Sequence, residues 1–244
     1  MENYYHRYLK LPFEITKPPI FDTDPGNITH VDLTPRHSGQ TEVEQSPWDD
    51  TEVREWIESL GLRLIHTEAF FTPPGQKIPI HTDDLDRDHI KINLTWGPEE
   101  GVTRWWNSDN QMQVQNTKHA FALLNGDTSL TEQMSRDMEN PDNDFSKNRD
   151  YSQTPFRIAR EEESTLILER NTNTPSILNV GELHSTYNPT NEGRWTICFV
   201  PAYHREKTIE NSNQLLVPSD RHENDSMLPF NEALEIFKDY VIEE

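Results

Sequence analysis

A mainly β fold, a sandwich or small barrel of short strands, is predicted for this chain by three observations. Short apolar runs at Leu62 to Thr72, Ile78 to Thr82, Ile90 to Trp96 and Val102 to Asn107 are bounded by Pro-Gly, Asp or Gly clusters. Four more runs of the same kind, Ser164 to Glu169, Ser176 to Val180, His184 to Tyr187 and Arg194 to Pro201, follow a long polar stretch, with Gly and Asn-Pro punctuation between them. The length of 244 residues exceeds a common domain, yet all-β sandwiches and barrels of this size form single domains.

The flanking elements read in order as follows. Residues 1–45 are rich in Pro and short polar clusters, with short strands expected near Phe13 to Ile15 and Ile28 to Leu33; they are read as an arm packed on the core. Ser46-Pro47 then supplies a cap and a first-turn proline. Trp48, Val53, Trp56, Ile57 and Leu60 recur at helical spacing before Gly61, which predicts a helix over about 47–60. The main domain is expected over 46–204, interrupted by an insertion at about 125–155 whose Asp, Asn, Ser, Glu and Arg can bury little. A C-terminal extension, 205–244, carries a helix opened by Pro229, with Phe230, Leu234, Phe237 and Val241 near one face. No internal repeat is present.

Composition narrows the partners. A hydrophobic fraction of 32% is low but, with six Trp, seven Tyr and ten Phe, argues against global disorder. A net charge of −21 repels phosphate backbones and anionic headgroups, so nucleic acid and membrane surfaces are poor substrates; the acidity reads as solubility or as attraction for a cationic partner. Cys198 is the only cysteine, which excludes an intrachain disulfide and a thiolate zinc cluster; its apolar neighbours predict an inert buried thiol. Met1 to Lys10 lacks the apolar run of a signal peptide and no membrane-length apolar stretch occurs, so a soluble, cytoplasmic protein is expected.

Chemistry concentrates at two strand ends. In Ile78-Pro79-Ile80-His81-Thr82-Asp83 an extended chain puts His81 and Asp83 on one face. A lone His-x-Asp pair arises by chance and often marks a turn. His184, 103 residues beyond His81, changes that reading, because two imidazoles and one carboxylate make the facial triad that holds non-haem Fe(II) and leaves positions open. Arg194 follows ten residues later, opening the run Arg194-Trp195-Thr196-Ile197-Cys198-Phe199-Val200.

The His-x-Asp pair, the distant His and the Arg ten residues on resemble the Fe(II)/2-oxoglutarate-dependent dioxygenase superfamily over about residues 62–201. Ile92-Asn93-Leu94 and the segment Pro175 to Asn188 look most like its phage and marine-bacterial branch near aspartyl/asparaginyl hydroxylases. The resemblance implies a double-stranded β-helix, a jelly-roll or cupin-like barrel with flanking helices. It implies Fe(II) held by His81, Asp83 and His184, and 2-oxoglutarate bound through its distal carboxylate by Arg194. A guanidinium fork suits that carboxylate, and Thr196, two residues on, shares its strand face. Asn93 lies with Lys91 and Thr95 on the polar face of its strand and is expected to point toward the cosubstrate. Among the other histidines only His89 is kept, as a partner to the ligands or a substrate contact. Adjacent Trp105 and Trp106 should point to opposite faces, one packing the core.

The implied activity is hydroxylation of a C–H bond in an amino acid, a peptide side chain or another small metabolite, with release of succinate and CO₂. Two competitors stand beside it. One is a cupin-like metal-dependent isomerase or hydrolase without 2-oxoglutarate, which gives Arg194 no task; the other is a non-catalytic acidic binding module, for which a complete triad is superfluous. The polar insertion is expected either as a flap ordering beside the barrel mouth or as a passive surface loop.

Overall fold

In the segment Ile90 to Trp96, alternate residues are suited to opposite environments, and the chain folds so that both are provided. Ile90, Ile92 and Leu94 enter a large apolar cluster, while Lys91, Asn93 and Thr95 face the other way. A computed structural model describes residues 4–22, 30–33, 51–83, 89–114, 117–126, 156–203 and 227–243. Twelve strands occur among them: β1 (His6–Tyr8), β2 (His30–Asp32), β3 (Leu62–Thr72), β4 (Lys77–His81), β5 (Ile90–Trp96), β6 (Val102–Asn107), β7 (Met112–Val114), β8 (Phe156–Ile158), β9 (Thr165–Arg170), β10 (Ser176–Asn179), β11 (His184–Tyr187) and β12 (Arg194–Tyr203). Three α-helices accompany them: α1 (Thr51–Ser59), α2 (Thr117–Leu124) and α3 (Phe230–Ile236).

Two six-stranded sheets result, in the orders β1-β10-β5-β12-β3-β2 and β7-β8-β4-β11-β6-β9. All pairings are antiparallel. Eight strands form the framework. In chain order β3 and β4, β5 and β6, β9 and β10, β11 and β12 fall in opposite sheets, giving β10-β5-β12-β3 facing β4-β11-β6-β9. That is the strand order of a double-stranded β-helix, a jelly roll. The first and last framework strands pair with each other, from Arg194 against Thr72 to Tyr203 against Leu62.

The main apolar core lies outside the barrel. α1 buries Val53, Trp56 and Ile57, and α3 buries Phe230 and Ala233, with Phe237 just beyond it, against Ile90, Ile92, Ile197 and Phe199 on the outer face of the first sheet. Leu9, Phe21 and Leu33 of the N-terminal segment join the same cluster, and Phe21 stacks on Trp195 with ring centroids 4.5 Å apart. The opposite face of this sheet carries Glu68, Phe70, Lys91, Asn93, Thr95, Arg194, Thr196 and Cys198. Cys198 stands opposite both Glu68 and Asn93, and Thr196 opposite both Phe70 and Thr95.

The eight predicted framework strands are present with ends within two residues of expectation. The helix is observed at 51–59; its expected capping residues Ser46 and Pro47, and Trp48, lie outside the described residues. The strand expected at Phe13 to Ile15 does not form. Pro12 lacks an N–H for a ladder, and Phe13 and Ile15 pack irregularly on the outer core, the Phe13 ring meeting Trp56 edge-on at 5.9 Å. Strands β1, β7 and β8 and helix α2 were not expected. Helix α2 ends at Leu124, with Gly126 at φ +77° closing it through its N–H on Leu123 O. Residues 127–155, most of the polar insertion, lie outside the described residues. Among the described residues no helix is long and apolar enough to cross a membrane.

Candidate metal centre

β4 and β11 are neighbours in the second sheet, and their register sets His184 directly opposite His81. Just past β4 the chain is pinned by a reciprocal pair: the Thr82 N–H donates to Arg157 O at 2.8 Å, and the Arg157 N–H donates to Thr82 Oγ1 at 3.0 Å. The Asp83 N–H donates to Val180 O at 2.9 Å, and the Val180 N–H to His89 O at 3.0 Å. Asp83 is thereby turned back onto the face of His81. One ligand atom from each of His81, Asp83 and His184 lies within 4.8 Å of the others.

The orientation of the rings suits a metal. His81 Nδ1 lies 2.8 Å from Pro79 O and His184 Nδ1 2.9 Å from Glu182 O, in each case the carbonyl two residues earlier. Each Nδ1 therefore carries the proton, and each Nε2 presents its lone pair to Asp83 Oδ1, at 3.4 Å and 3.6 Å. Donors sharing one face of an octahedral ion with bonds near 2 Å are spaced by roughly 3 Å, close to these separations.

Electrostatics keep the set ready to bind. Burial, and then the neighbouring His81, lower the pKa of His184 to about 4, so it is neutral at pH 7. Burial works to raise the Asp83 carboxyl, but the Lys91 ammonium and the two imidazoles outweigh it and hold it well below the usual range. Lys91 Nζ lies 2.7 Å from Asp83 Oδ2 and 2.6 Å from Glu68 Oε1, and Glu68 Oε2 lies 3.0 Å from His66 Nε2. Burial disfavours the ammonium, yet these two carboxylates keep its pKa well above normal.

Arg194 is 1% exposed. Its guanidinium donates to Val102 O at 3.3 Å and to Thr95 Oγ1 and Thr172 Oγ1 at 3.2 Å each, while its Nε has no partner. Among the described residues no carboxylate pairs with it. Burial lowers its pKa to about 10, so it stays cationic at pH 7. Space for the side chain depends on two glycines: a Cβ on Gly97 would stand 2.6 Å from Arg194 Cβ, and one on Gly101 2.9 Å from Arg194 Cδ. Thr196 Oγ1 joins the same group through Thr95 Oγ1 at 2.8 Å, and Thr95 Oγ1 in turn meets Thr172 Oγ1 at 2.8 Å.

Asn93 sits on the inner face, with its buried Oδ1 unpartnered. His89 is buried, and its carbonyl supports the Val180 link to Asp83. Trp105 and Trp106 do point to opposite faces. Both are packed: Trp105 with Leu168, Leu178 and Val180, Trp106 with Ile80, Ala159 and Leu183. Their indoles donate to Asn179 O and Ser185 Oγ. Burial pushes the Cys198 thiol up, in keeping with an inert residue. Two clefts, of about 390 and 220 Å³, lie away from the triad, one against Leu9, Phe13 and Leu94 and the other against Ile80, Trp106 and Ser185.

Sequence reasoning put Lys91 on the polar face of its strand with Asn93 but gave it no role, and it missed Glu68 and Thr172 as members of this interior. A lysine between Ile90 and Ile92 was the available signal, since alternation turns it to the face of Asn93. Nothing in the sequence around Thr172 marks it.

No protein-family model matches the chain, and no curated protein is similar to it. Solved structures similar to it include EvdMO1, with 14% identity over 70% of this chain and 34% of that one and a TM-score of 0.32. Apo HygX from Streptomyces hygroscopicus has 15% identity over 57% of each chain and a TM-score of 0.26. EvdO2 from Micromonospora carbonacea var. aurantiaca, complexed with 2-oxoglutarate, has 13% identity over 60% of this chain and 55% of that one, with a TM-score of 0.25. The chain thus spans between 34% and 57% of the length of these three. At such scores the fold is defined by the strand order of the chain itself.

Proposed function

We propose that this chain is an Fe(II)- and 2-oxoglutarate-dependent oxygenase that hydroxylates a C–H bond of an amino acid, peptide side chain or other small metabolite. In the balanced reaction, substrate, O₂ and 2-oxoglutarate give hydroxylated substrate, succinate and CO₂. The observation that carries the reading is the convergence of two Nε2 lone pairs and one carboxylate oxygen in the barrel that also buries an unpaired arginine.

The donor set fits the ion: two imidazoles whose Nδ1 atoms are each held on a backbone carbonyl, and an ionised carboxylate on one side, which is the facial arrangement of non-haem Fe(II) sites. His81, Asp83 and His184 would hold it. When bound, iron supplies O₂ activation coupled to decarboxylation of the cosubstrate.

The protein's own part is binding and orientation. Arg194 offers its remaining N–H groups to the distal carboxylate of 2-oxoglutarate, with Thr196, Thr95 and Thr172 supplying hydroxyls beside it. Asn93, whose Oδ1 is buried without a partner, faces the same interior. The cupin-like isomerase or hydrolase keeps the metal but leaves a buried cation without an anion, so Arg194 favours the oxygenase. The net charge of −21 supports a small-molecule or peptide substrate over nucleic acid or membrane.

The test is anaerobic reconstitution with Fe(II) and 2-oxoglutarate, admission of O₂ with pooled amino acids, peptides and metabolites, and detection of succinate. Succinate formation above that of an Asp83→Ala control is expected. Equal succinate from both, with 2-oxoglutarate unbound, refutes the reading.

A further inference from the structure

The buried charges behind the triad form a chain that the oxygenase reading does not use. Asp83 divides its two oxygens: Oδ1 faces both histidines, while Oδ2 is taken by Lys91 Nζ at 2.7 Å. Lys91 is itself held from the far side. Its Nζ meets Glu68 Oε1 at 2.6 Å and lies 5.6 Å from the centroid of the Phe70 ring. Glu68 is fixed by His66 Nε2 at 3.0 Å. β12 runs between β5 and β3, and at this level it carries Cys198, small enough for Lys91 to reach Glu68 across it.

We infer that Lys91 is a positioning residue that makes Asp83 a one-oxygen ligand. A free carboxylate beside a divalent ion can bind through one oxygen or two. With Oδ2 committed to an ammonium, the Lys91 and Asp83 side chains being only 15% and 17% exposed, only Oδ1 remains for the ion. An octahedral ion held by His81, His184 and Asp83 Oδ1 keeps three positions, enough for a two-point chelator and O₂; a two-oxygen Asp83 leaves one fewer. Charge also balances. A divalent ion with Asp83, Lys91, Glu68 and Arg194 sums to two positive charges, which a dianionic 2-oxo acid neutralises. The inference rests on the proposed metal site, though not on the identity of the reaction.

The test counts water on bound Mn(II) by water-proton relaxation, in the wild-type chain, in Glu68→Gln and in Glu68→Gln/Lys91→Met. The double variant retains the net charge and leaves no uncompensated carboxylate at position 68, which protects folding; Glu68→Gln alone keeps Nζ on Oδ2. The wild type and the single variant are expected to carry equal numbers of exchangeable waters, and the double variant one fewer. In the double variant Mn(II) binds as tightly or more tightly, since a cation beside it is gone, whereas 2-oxoglutarate binds about 10- to 100-fold more weakly. A merely structural role weakens both. Equal water numbers in all three proteins overturn the role of Lys91 and leave the oxygenase reading standing. Loss of a water in the double variant from a chain that never binds 2-oxoglutarate upholds Lys91 and removes the oxygenase. Absence of Mn(II) binding by the wild type overturns both.

Discussion

Replacing Arg194 by lysine keeps a cation in the barrel and removes the fork. In the wild type two terminal nitrogens of the guanidinium are anchored on Val102 O, Thr95 Oγ1 and Thr172 Oγ1, and the Nε–H is buried without a partner. Of five N–H donors, those not so engaged are available to an entering carboxylate. A lysine ammonium has three donors at a single point, and the same three acceptors compete for them. The expected loss is that of a charge-assisted contact, about 1.5 to 3 kcal/mol, or roughly 10- to 150-fold in the dissociation constant of 2-oxoglutarate. Calorimetric titration of Mn(II)-loaded protein under anaerobic conditions measures it, and the Mn(II) affinity itself should hardly move. A 2-oxo acid without the distal carboxylate provides the control: it binds weakly to both proteins, and the substitution should leave its affinity unchanged. If 2-oxoglutarate binds Arg194→Lys as tightly as wild type, or if the truncated acid loses as much, Arg194 does not hold the distal carboxylate.

Two further outcomes follow from the same interior. Gly101→Ala places a methyl group 2.9 Å from Arg194 Cδ, so it should displace the guanidinium and weaken 2-oxoglutarate about tenfold while metal binding persists; unchanged cosubstrate affinity in the titration refutes the close fit. Acid should destabilise the metal-free protein. Burial, followed by Arg170 and Arg7, lowers His6 to about 3, and burial lowers His184 to about 4, both from 6.5. Between 6.5 and those values the unfolded chain takes up protons that the folded chain refuses. Stability is therefore complete above about 6.5 and falls as the pH drops, by up to about 1.4 kcal/mol per pH unit for each group. Urea unfolding at pH 7 and 5.5, in high salt to screen the net charge, should show the fall, and His6→Gln should reduce it; a stability that rises on acidification contradicts the assignment.

Local periodicity carried much of this architecture. The bounds of β5, β6 and β11 were readable because each is a short run between turn formers, and His81 and Asp83 shared a face by their spacing of two. What the sequence withheld depends on register between distant strands. Lys91 and Glu68 meet only because β5 and β3 flank β12, and no local pattern states that Cys198 separates them. Thr172 reaches Arg194 from a connection between β9 and β10 that has no strand signal of its own. Strands β7 and β8 were invisible for another reason: three residues each is too short for alternation to show. At Phe13 the aromatic and β-branched content suggested a strand, and the outer core claimed those side chains instead.

Closure of the barrel by β3 on β12 also sets the order in which the protein can be made. His81 finds His184, and Thr72 finds Arg194, across more than a hundred residues of chain, so the contacts that build the interior are among the most non-local in the molecule. Such contacts incur loop-closure entropy before they return any stabilisation, and folding dominated by them is slow. A nascent chain that has left the ribosome only as far as β10 holds His81 and Asp83 but neither His184 nor Arg194. The three donors of the candidate centre therefore come together only once β11 has been added, and Arg194 joins them with β12.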